Sequence, residues 1–166
     1  MKKLYTILLA FILLSVMGNQ LFAQSQMQYR SLGKTGLKVS EIGIGCGCFS
    51  QMNEAQSIEY MDTCLKYGIN YVDIYDPDPK TRGNLGISLK GRRDQMIIQG
   101  HIGVCWKDGQ YKRTRDLAEA KEGFEDLLAR LHTDHVDVGM LHIADDMEDW
   151  NVIKNGDLMK YAQRLK

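Results

Sequence analysis

The chain has 166 residues, 44% hydrophobic and 25% charged, with only two prolines. That is an ordinary globular composition of one-domain length. Its 21 acidic and 21 basic side chains cancel. The balance excludes the basic excess of a nucleic-acid binder and gives no electrostatic reason for a membrane surface. A small molecule, a protein or no partner at all remains.

The first residues differ from the rest. Lys2 and Lys3 precede an apolar run from Leu4 to Met17. Asn19 and Gln20 break the run, and Ala23 offers a small residue before Gln24. Charged, apolar and small zones in this order are the pattern of a secretory signal peptide. The run is shorter than the ~20 residues that span a bilayer. An uncleaved anchor or a buried helix is the alternative. Residues 1–23 are therefore expected to be a signal, and 24–166 a domain that is periplasmic or secreted, free of the membrane after cleavage.

Export would place Cys46, Cys48, Cys64 and Cys105 in a disulfide-permissive compartment. Four cysteines allow three full pairings, among which sequence does not choose. Buried free thiols acting as small hydrophobes are the favoured reading. Cys46 and Cys48, read on a strand, would share a face.

Tyr29 to Ser40 carries Gly33 and Gly36 between short extended pieces and reads as a hairpin. Glu41 to Gly47 is a short apolar strand ending in glycines. Asn53 begins a helix with Gln56 completing a capping box. Ile58, Met61 and Leu65 follow at helical spacing, and Gly68 stops it. Asn70 to Tyr75 is a strand. Asp76 to Thr81 holds both prolines and reads as a loop. Arg82 to Lys90 is a short helix, with Arg92 and Arg93 at its solvated end. Gln95 to His101 is a strong apolar strand. A polar loop then leads to Asp116, which caps a helix with Glu119 at its third position. Leu117, Ala120, Phe124, Leu127, Leu128 and Leu131 form its apolar stripe. His135 to His142 is the fourth strand, and a last helix runs from Leu158.

A hairpin followed by four strand–helix units implies a parallel α/β sheet. Strands spaced by ~25–40 residues suit such units. Four of them make either a small open sheet or half of a (β/α)8 barrel, which takes ~200–250 residues when complete.

Parallel α/β folds place chemistry at the carboxyl ends of their strands. Those ends hold Gly45-Cys46-Gly47, Asp73 with Tyr75 and Asp78, His101, and His142 with Asp145 and Asp146. A carboxylate and two imidazoles thus meet at one edge. Each also has a structural reading: Asp73 as a turn cap, the histidines as satisfied core residues, Tyr75 and Trp106 as pocket liners. Asp145 and Asp146 suit a cap for the segment after them. Gly43-x-Gly45-x-Gly47 lacks the spacing of a dinucleotide fingerprint.

Tyr29-Arg30-x-Leu32-Gly33-x-Thr35-Gly36-Leu37-x-Val39-Ser40, then Ile42-Gly43-x-Gly45, resembles the opening of aldo-keto reductases. Gly68-Ile69-Asn70-Tyr71-Val72-Asp73 resembles their second strand, and Leu127 through His142 resembles helix three and strand four. The Asp76–Gly86 and Gly91–Asp94 stretches resemble a divergent bacterial branch. The resemblance runs from Tyr29 to Lys166. It implies a (β/α)8 TIM-type barrel with a hairpin at its bottom, of which this chain is the first four units. It also implies hydride transfer between NADPH and a small carbonyl or alcohol.

The family site is an aspartate, a tyrosine, a lysine and a histidine. Asp73 matches the aspartate and His142 the histidine. Asp78 stands at the tyrosine position and His101 at the lysine position, so Tyr75 is the nearby phenol. The catalytic candidates are thus Asp73, Tyr75, His101 and His142, with Gly45, Cys46 and Gly47 lining the nicotinamide end. Two other readings stand beside this one. Asp73, His101 and His142 form a two-histidine, one-carboxylate set suited to iron or zinc. Alternatively, the chain is an inactive half barrel or interaction module, self-associating through open sheet edges.

Overall fold

The computed structural model describes residues 26–166. The signal read over residues 1–23 lies outside them. Strands β1 (Tyr29–Ser31) and β2 (Lys38–Ser40) form the expected antiparallel hairpin, with Arg30 opposite Val39. It is sewn to the loop before the next long strand. The Tyr29 hydroxyl donates to the Gly68 carbonyl at 2.8 Å, and Asn70 Nδ2 donates to the Lys38 carbonyl at 2.9 Å. The hairpin therefore sits at the amino-terminal end of the sheet, away from the strand ends that carry the candidate residues.

Strand β3 is only Ile44–Gly45, and the chain turns at once into a 3-10 segment, Cys46–Gln51. Cys46 and Cys48 therefore do not share a strand face. Burial of Phe49 decides this turn. Its ring meets Tyr60 edge-on at 5.6 Å, and Asn84 Nδ2 donates to the carbonyls of Phe49 and Met52. All four cysteines are free thiols.

Helix α1 (Glu54–Lys66) opens with both arms of the Asn53–Gln56 capping box, each 2.9 Å. It buries Ser57, Met61 and Cys64, whereas Ile58 is exposed. Gly68, at φ +79, ends it in the left-handed conformation that glycine adopts without strain. Strand β4 (Tyr71–Ile74) follows.

Helix α2 (Pro79–Ser88) starts three residues earlier than expected. Proline is tolerated at a first helical position because that amide is unbonded anyway. Asp78 caps it, accepting 2.8 Å bonds from the Thr81 amide and hydroxyl. Arg92 and Arg93 are not a solvated end. Arg92 pairs with Asp62 and donates to the Ser88 carbonyl, while Arg93 pairs with Asp137 at 2.8 Å.

Strand β5 (Ile97–Ile102) is followed by a second hairpin, β6 (Val104–Lys107) and β7 (Gln110–Arg113), where a polar loop was expected. Its two-residue turn places Asp108 at φ 51 and Gly109 at φ 77, both positive as a type I′ turn requires. Helix α3 (Leu117–Leu131) is capped by Asp116 and buries Ala120, Phe124, Leu127 and Leu131. Strand β8 (Val138–Leu141) completes the sheet. Two helices then follow, α4 (Met147–Asn155), capped by Asp146, and α5 (Asp157–Arg164). The first of these was not anticipated.

The main sheet is open, parallel and ordered β3-β4-β5-β8. One face buries Ile44, Val72, Ile74, Ile98 and Ile102 with the helices' apolar residues. Gly100 lets α3 approach this face, since a Cβ there would stand 2.8 Å from Leu127. Alternation along the strands puts Asp73, Gln99 and His101 on the other face, with Asp73 opposite Gln99 and His101 opposite Met140 in register. His142 continues the parity of Val138 and Met140. No helix among the described residues is long and apolar enough to cross a membrane.

Candidate active site

Three strand ends bring Asp73, His101 and His142 into one hydrogen-bonded line. Asp73 Oδ1 is 2.8 Å from His101 Nε2. His101 Nδ1 is 2.7 Å from His142 Nδ1. The line extends beyond the expected residues at both ends. The Tyr111 hydroxyl, on β7, lies 2.6 Å from His142 Nε2. Gln99 Nε2 donates to Asp73 Oδ1 at 2.6 Å, and the Tyr71 hydroxyl donates to Gln99 Oε1 at 2.6 Å. Six side chains are thus connected from Tyr71 to Tyr111.

The two imidazoles are buried, His101 at 6% and His142 at 2% exposure, while Asp73 and Tyr111 open to solvent at the two ends. Burial lowers the His142 pKa to about 4, helped by the fields of His101, Arg115 and Arg113. His142 is therefore neutral at pH 7. For Asp73, burial pulls upward, but hydrogen bonds from His101 and Gln99 and the histidines' fields outweigh it, so the carboxyl ionises below its ordinary value. Burial pushes the Tyr111 phenol upward against the opposing fields of Arg113 and Arg115. Both tyrosine and aspartate thus keep their usual forms at neutral pH.

His142 is held from behind. Arg115 Nη1 donates to the His142 carbonyl at 2.9 Å, and Arg115 Nη2 donates to the Ile143 carbonyl. The same guanidinium makes a two-point pair with Asp149 at 2.8 and 2.6 Å. Ile143 stands at φ 45, a region that β-branched residues occupy only under strain.

The other expected residues are placed as follows. Tyr75 is exposed, its ring centroid 6.5 Å from that of His101, and its hydroxyl lies over Gly47. Burial, then Cys46 and Asp76, raises its pKa. Gly45 and Gly47 are exposed at the end of β3, and a Cβ at Gly45 would meet nothing within 4 Å. Cys46 is buried between them, its thiol pushed up to about 11 by burial. Asp78 is committed to capping α2. Asp145 pairs with Arg113 at 2.6 Å.

The metal reading does not survive this geometry. Two nitrogens on one zinc ion at ~2.0–2.1 Å would stand ~3.3 Å apart, whereas the Nδ1 atoms are 2.7 Å apart and face each other. Each remaining ring nitrogen is directed at Asp73 or Tyr111. No group of three histidine, cysteine, aspartate or glutamate side chains among the described residues is placed to hold a metal.

Tyr111, Gln99, Tyr71 and Arg115 were missed in the sequence. For Tyr111 a signal existed: Asp108-Gly109 between two extended pieces is a strong two-residue hairpin pattern. That pattern puts Tyr111 opposite Trp106 and turns both away from Cys105 and Lys112.

Known proteins are similar in sequence and fold. The aldo/keto reductase family model matches residues 41–162. The uncharacterized oxidoreductase YqkF of Bacillus subtilis (strain 168) is 31% identical over 147 residues, 81% of this chain and 47% of that protein. The aldo-keto reductase YhdN of the same organism is 30% identical over 130 residues, 73% of this chain and 39% of that one. A solved candidate aldo-keto reductase from Pseudomonas aeruginosa superposes with a TM-score of 0.74 at 26% identity, covering 85% of this chain and 56% of its own. The holo form of a Bacillus halodurans aldo-keto reductase gives 0.62 at 31% identity, over 78% and 47% of the two chains. A Klebsiella pneumoniae aldo-keto reductase in complex with NADPH shares the fold at a TM-score of 0.53 and 18% identity, over 73% and 44%. The chain spans half or less of the length of these curated relatives. With a family model matching residues 41–162, well over half of its length, the chain belongs to the aldo/keto reductase family.

Proposed function

We propose that the chain works as part of an NAD(P)H-dependent oxidoreductase interconverting a small carbonyl compound and its alcohol. The observation that carries this reading is the continuous line Asp73–His101–His142 at the carboxyl edge of the parallel sheet. In the same reading the four strands are the first four units of a (β/α)8 barrel, with the β1–β2 hairpin at its bottom. Helices packed on one sheet face and candidate site residues at the carboxyl ends of the strands support that architecture.

The residues at the edge fit a flat cofactor ring. Gly45 leaves open space beside Asp73, and the Tyr75 hydroxyl borders Gly47. A nicotinamide bound there would supply the hydride. The chain's own residues would do the rest. Asp73, kept ionised, holds the His101 ring through Nε2. His101 and His142 carry a proton between them away from bulk water. The Asp78 carboxylate, used up in the α2 cap, takes no part in proton transfer. Residues 1–23 would direct this activity to the periplasm or outside the cell, and the open edges β3 and β8 would permit association with a second copy.

The test is NADPH oxidation by the full chain across a panel of aldehydes and ketones. Turnover is expected, and Asp73→Asn or His142→Gln should lower it ~100–1,000-fold. A full chain that binds neither NADPH nor NADH, by quenching and energy transfer from its tryptophans, would sink the reading.

A further inference from the structure

Asp78 replaces the phenol expected at its position and is locked in a helix cap. The site still needs a group that can hand a proton to a carbonyl oxygen at its open side. Tyr75 has no hydrogen bond to the buried line, whereas Tyr111 terminates it. Tyr111 is 41% exposed, and its hydroxyl meets the His142 imidazole. We propose that Tyr111, carried by the β6–β7 hairpin, is the catalytic acid, and that His142 and His101 reload it. This rests on the carbonyl-reductase reading above.

The line admits two proton arrangements. In the discharged one, the Tyr111 hydroxyl donates to His142 Nε2, His142 Nδ1–H donates to His101 Nδ1, and His101 Nε2–H donates to Asp73. In the loaded one, His101 carries a proton on both nitrogens, between the Asp73 carboxylate and His142. His142 then donates Nε2–H to the Tyr111 oxygen, which frees the phenolic proton for a ligand. His101 Nε2 faces the Asp73 carboxylate, while His142 lies in the fields of Arg113 and Arg115.

The step balances. A bound reduced nicotinamide would supply the hydride to the carbonyl carbon, and the Tyr111 O–H bond breaks as a new O–H bond forms on the carbonyl oxygen. His142 Nε2–H passes to the Tyr111 oxygen, and His101 Nδ1–H passes to His142 Nδ1. His101 ends neutral, which leaves the discharged arrangement. After the alcohol departs, water at the exposed phenol returns one proton and the same shifts run backwards. No free tyrosinate is formed, so the raised pKa of Tyr111 is no obstacle. The charged and titratable groups around this path are Asp73 on β4, His101 on β5, Tyr111 and Arg113 on β7, Arg115 before α3, His142 and Asp145 after β8, and Tyr75 and Asp76 after β4.

Two measurements on the full chain test this. In the first, Tyr111→Phe should lower kcat with the best carbonyl ~100–1,000-fold, leave NADPH affinity unchanged and alter the solvent isotope effect. Wild-type turnover in this variant overturns the proposal. The second is NMR of wild-type chain labelled at histidine nitrogen and tyrosine Cζ. The Tyr111 Cζ signal should follow the protonation of His101, and His101→Gln should abolish that dependence. A Tyr111 signal indifferent to His101 also overturns the proposal. A wild-type chain inert toward every carbonyl would count against the reductase reading, while the NMR titration still decides whether Tyr111 ends the proton line.

Discussion

The Nδ1 atoms of His101 and His142 face each other at 2.7 Å, so one of them must carry the proton between them and the other must accept it. This relationship ties the two tautomers together, and Asp73 and Tyr111 fix the remaining nitrogens. A change at either end is therefore felt across the line.

Acid stability should report on His142. Its pKa falls from 6.5 to about 4 on folding, so the unfolded chain binds a proton that the folded chain refuses. The stability it contributes is complete above about pH 6.5 and is lost as pH falls through about 4. His142→Gln should flatten the stability curve in that window, measured by urea unfolding at successive pH values. An unchanged slope would mean that His142 already protonates freely in the fold.

Ile143 should tolerate, and profit from, a residue suited to positive φ. Ile143→Asn removes the strain of a β-branched residue at φ 45 and should stabilise the chain by about 0.5–1 kcal/mol. Arg115→Lys, which cannot span the two carbonyls and Asp149 at once, should lower both the melting temperature and turnover. If Ile143→Asn destabilises the fold, contacts of the isoleucine side chain outweigh the strain.

Arg82 separates charge from volume. Its guanidinium side chain is 1% exposed and joins α2 to α3 through the Gly123 carbonyl at 2.7 Å and Asp126 at 2.9 Å. Burial lowers its pKa, opposed by Asp126, and one of its terminal nitrogens has no partner. Asp126 keeps a second partner in Arg130 at 2.7 Å. Arg82→Ala should therefore cost ~2–3 kcal/mol, mostly as a cavity, and Arg82→Met less than ~1.5 kcal/mol. Equal losses in denaturant titrations would show that the charge itself is what the helices need.

Two glycines in the helix layer have no room for a methyl group. A Cβ on Gly86 would stand 2.1 Å from the Arg130 carbonyl oxygen, and one on Gly123 2.2 Å from that of Val104. Both obstacles are backbone and cannot rotate away. Each alanine variant should lose ~2–3 kcal/mol. Gly123→Ala should also cut turnover, because Val104 begins the hairpin that carries Tyr111.

Much of this architecture is legible in the chain. The Asn53–Gln56 box, the Gly68 stop and the period-2 runs around Val72, Ile98 and Val138 locate their elements because each signal acts over a few neighbours. The same alternation brings Asp73, His101 and His142 to one face, and the structure joins them. What escaped depended on other elements. β3 is cut short by burial of Phe49 against Tyr60. The prolines of residues 76–81 suggest a loop, yet Pro79 opens a helix. Arg92 and Arg93 look like a solvated end until Asp62 and Asp137 arrive from elsewhere. Tyr111 was hidden because a polar, lysine-rich stretch resembles a loop, although its Asp-Gly pair marks a turn.

The β6–β7 hairpin leaves and rejoins the main chain at nearly one point, since the Thr114 amide donates to the Gly103 carbonyl at 2.9 Å. Its one face is latched to α3 by Glu119, which takes Lys107, Lys112 and Thr114 together and is held down to about 2 by them. Its other face ends the proton line. Neither the parallel sheet nor the Asp116 cap uses any residue between Val104 and Arg113. Beyond the buried Val104 and Cys105, the outer hairpin is thus a cassette whose exchange would give the same buried histidines a different terminal acid and a different chemical appetite.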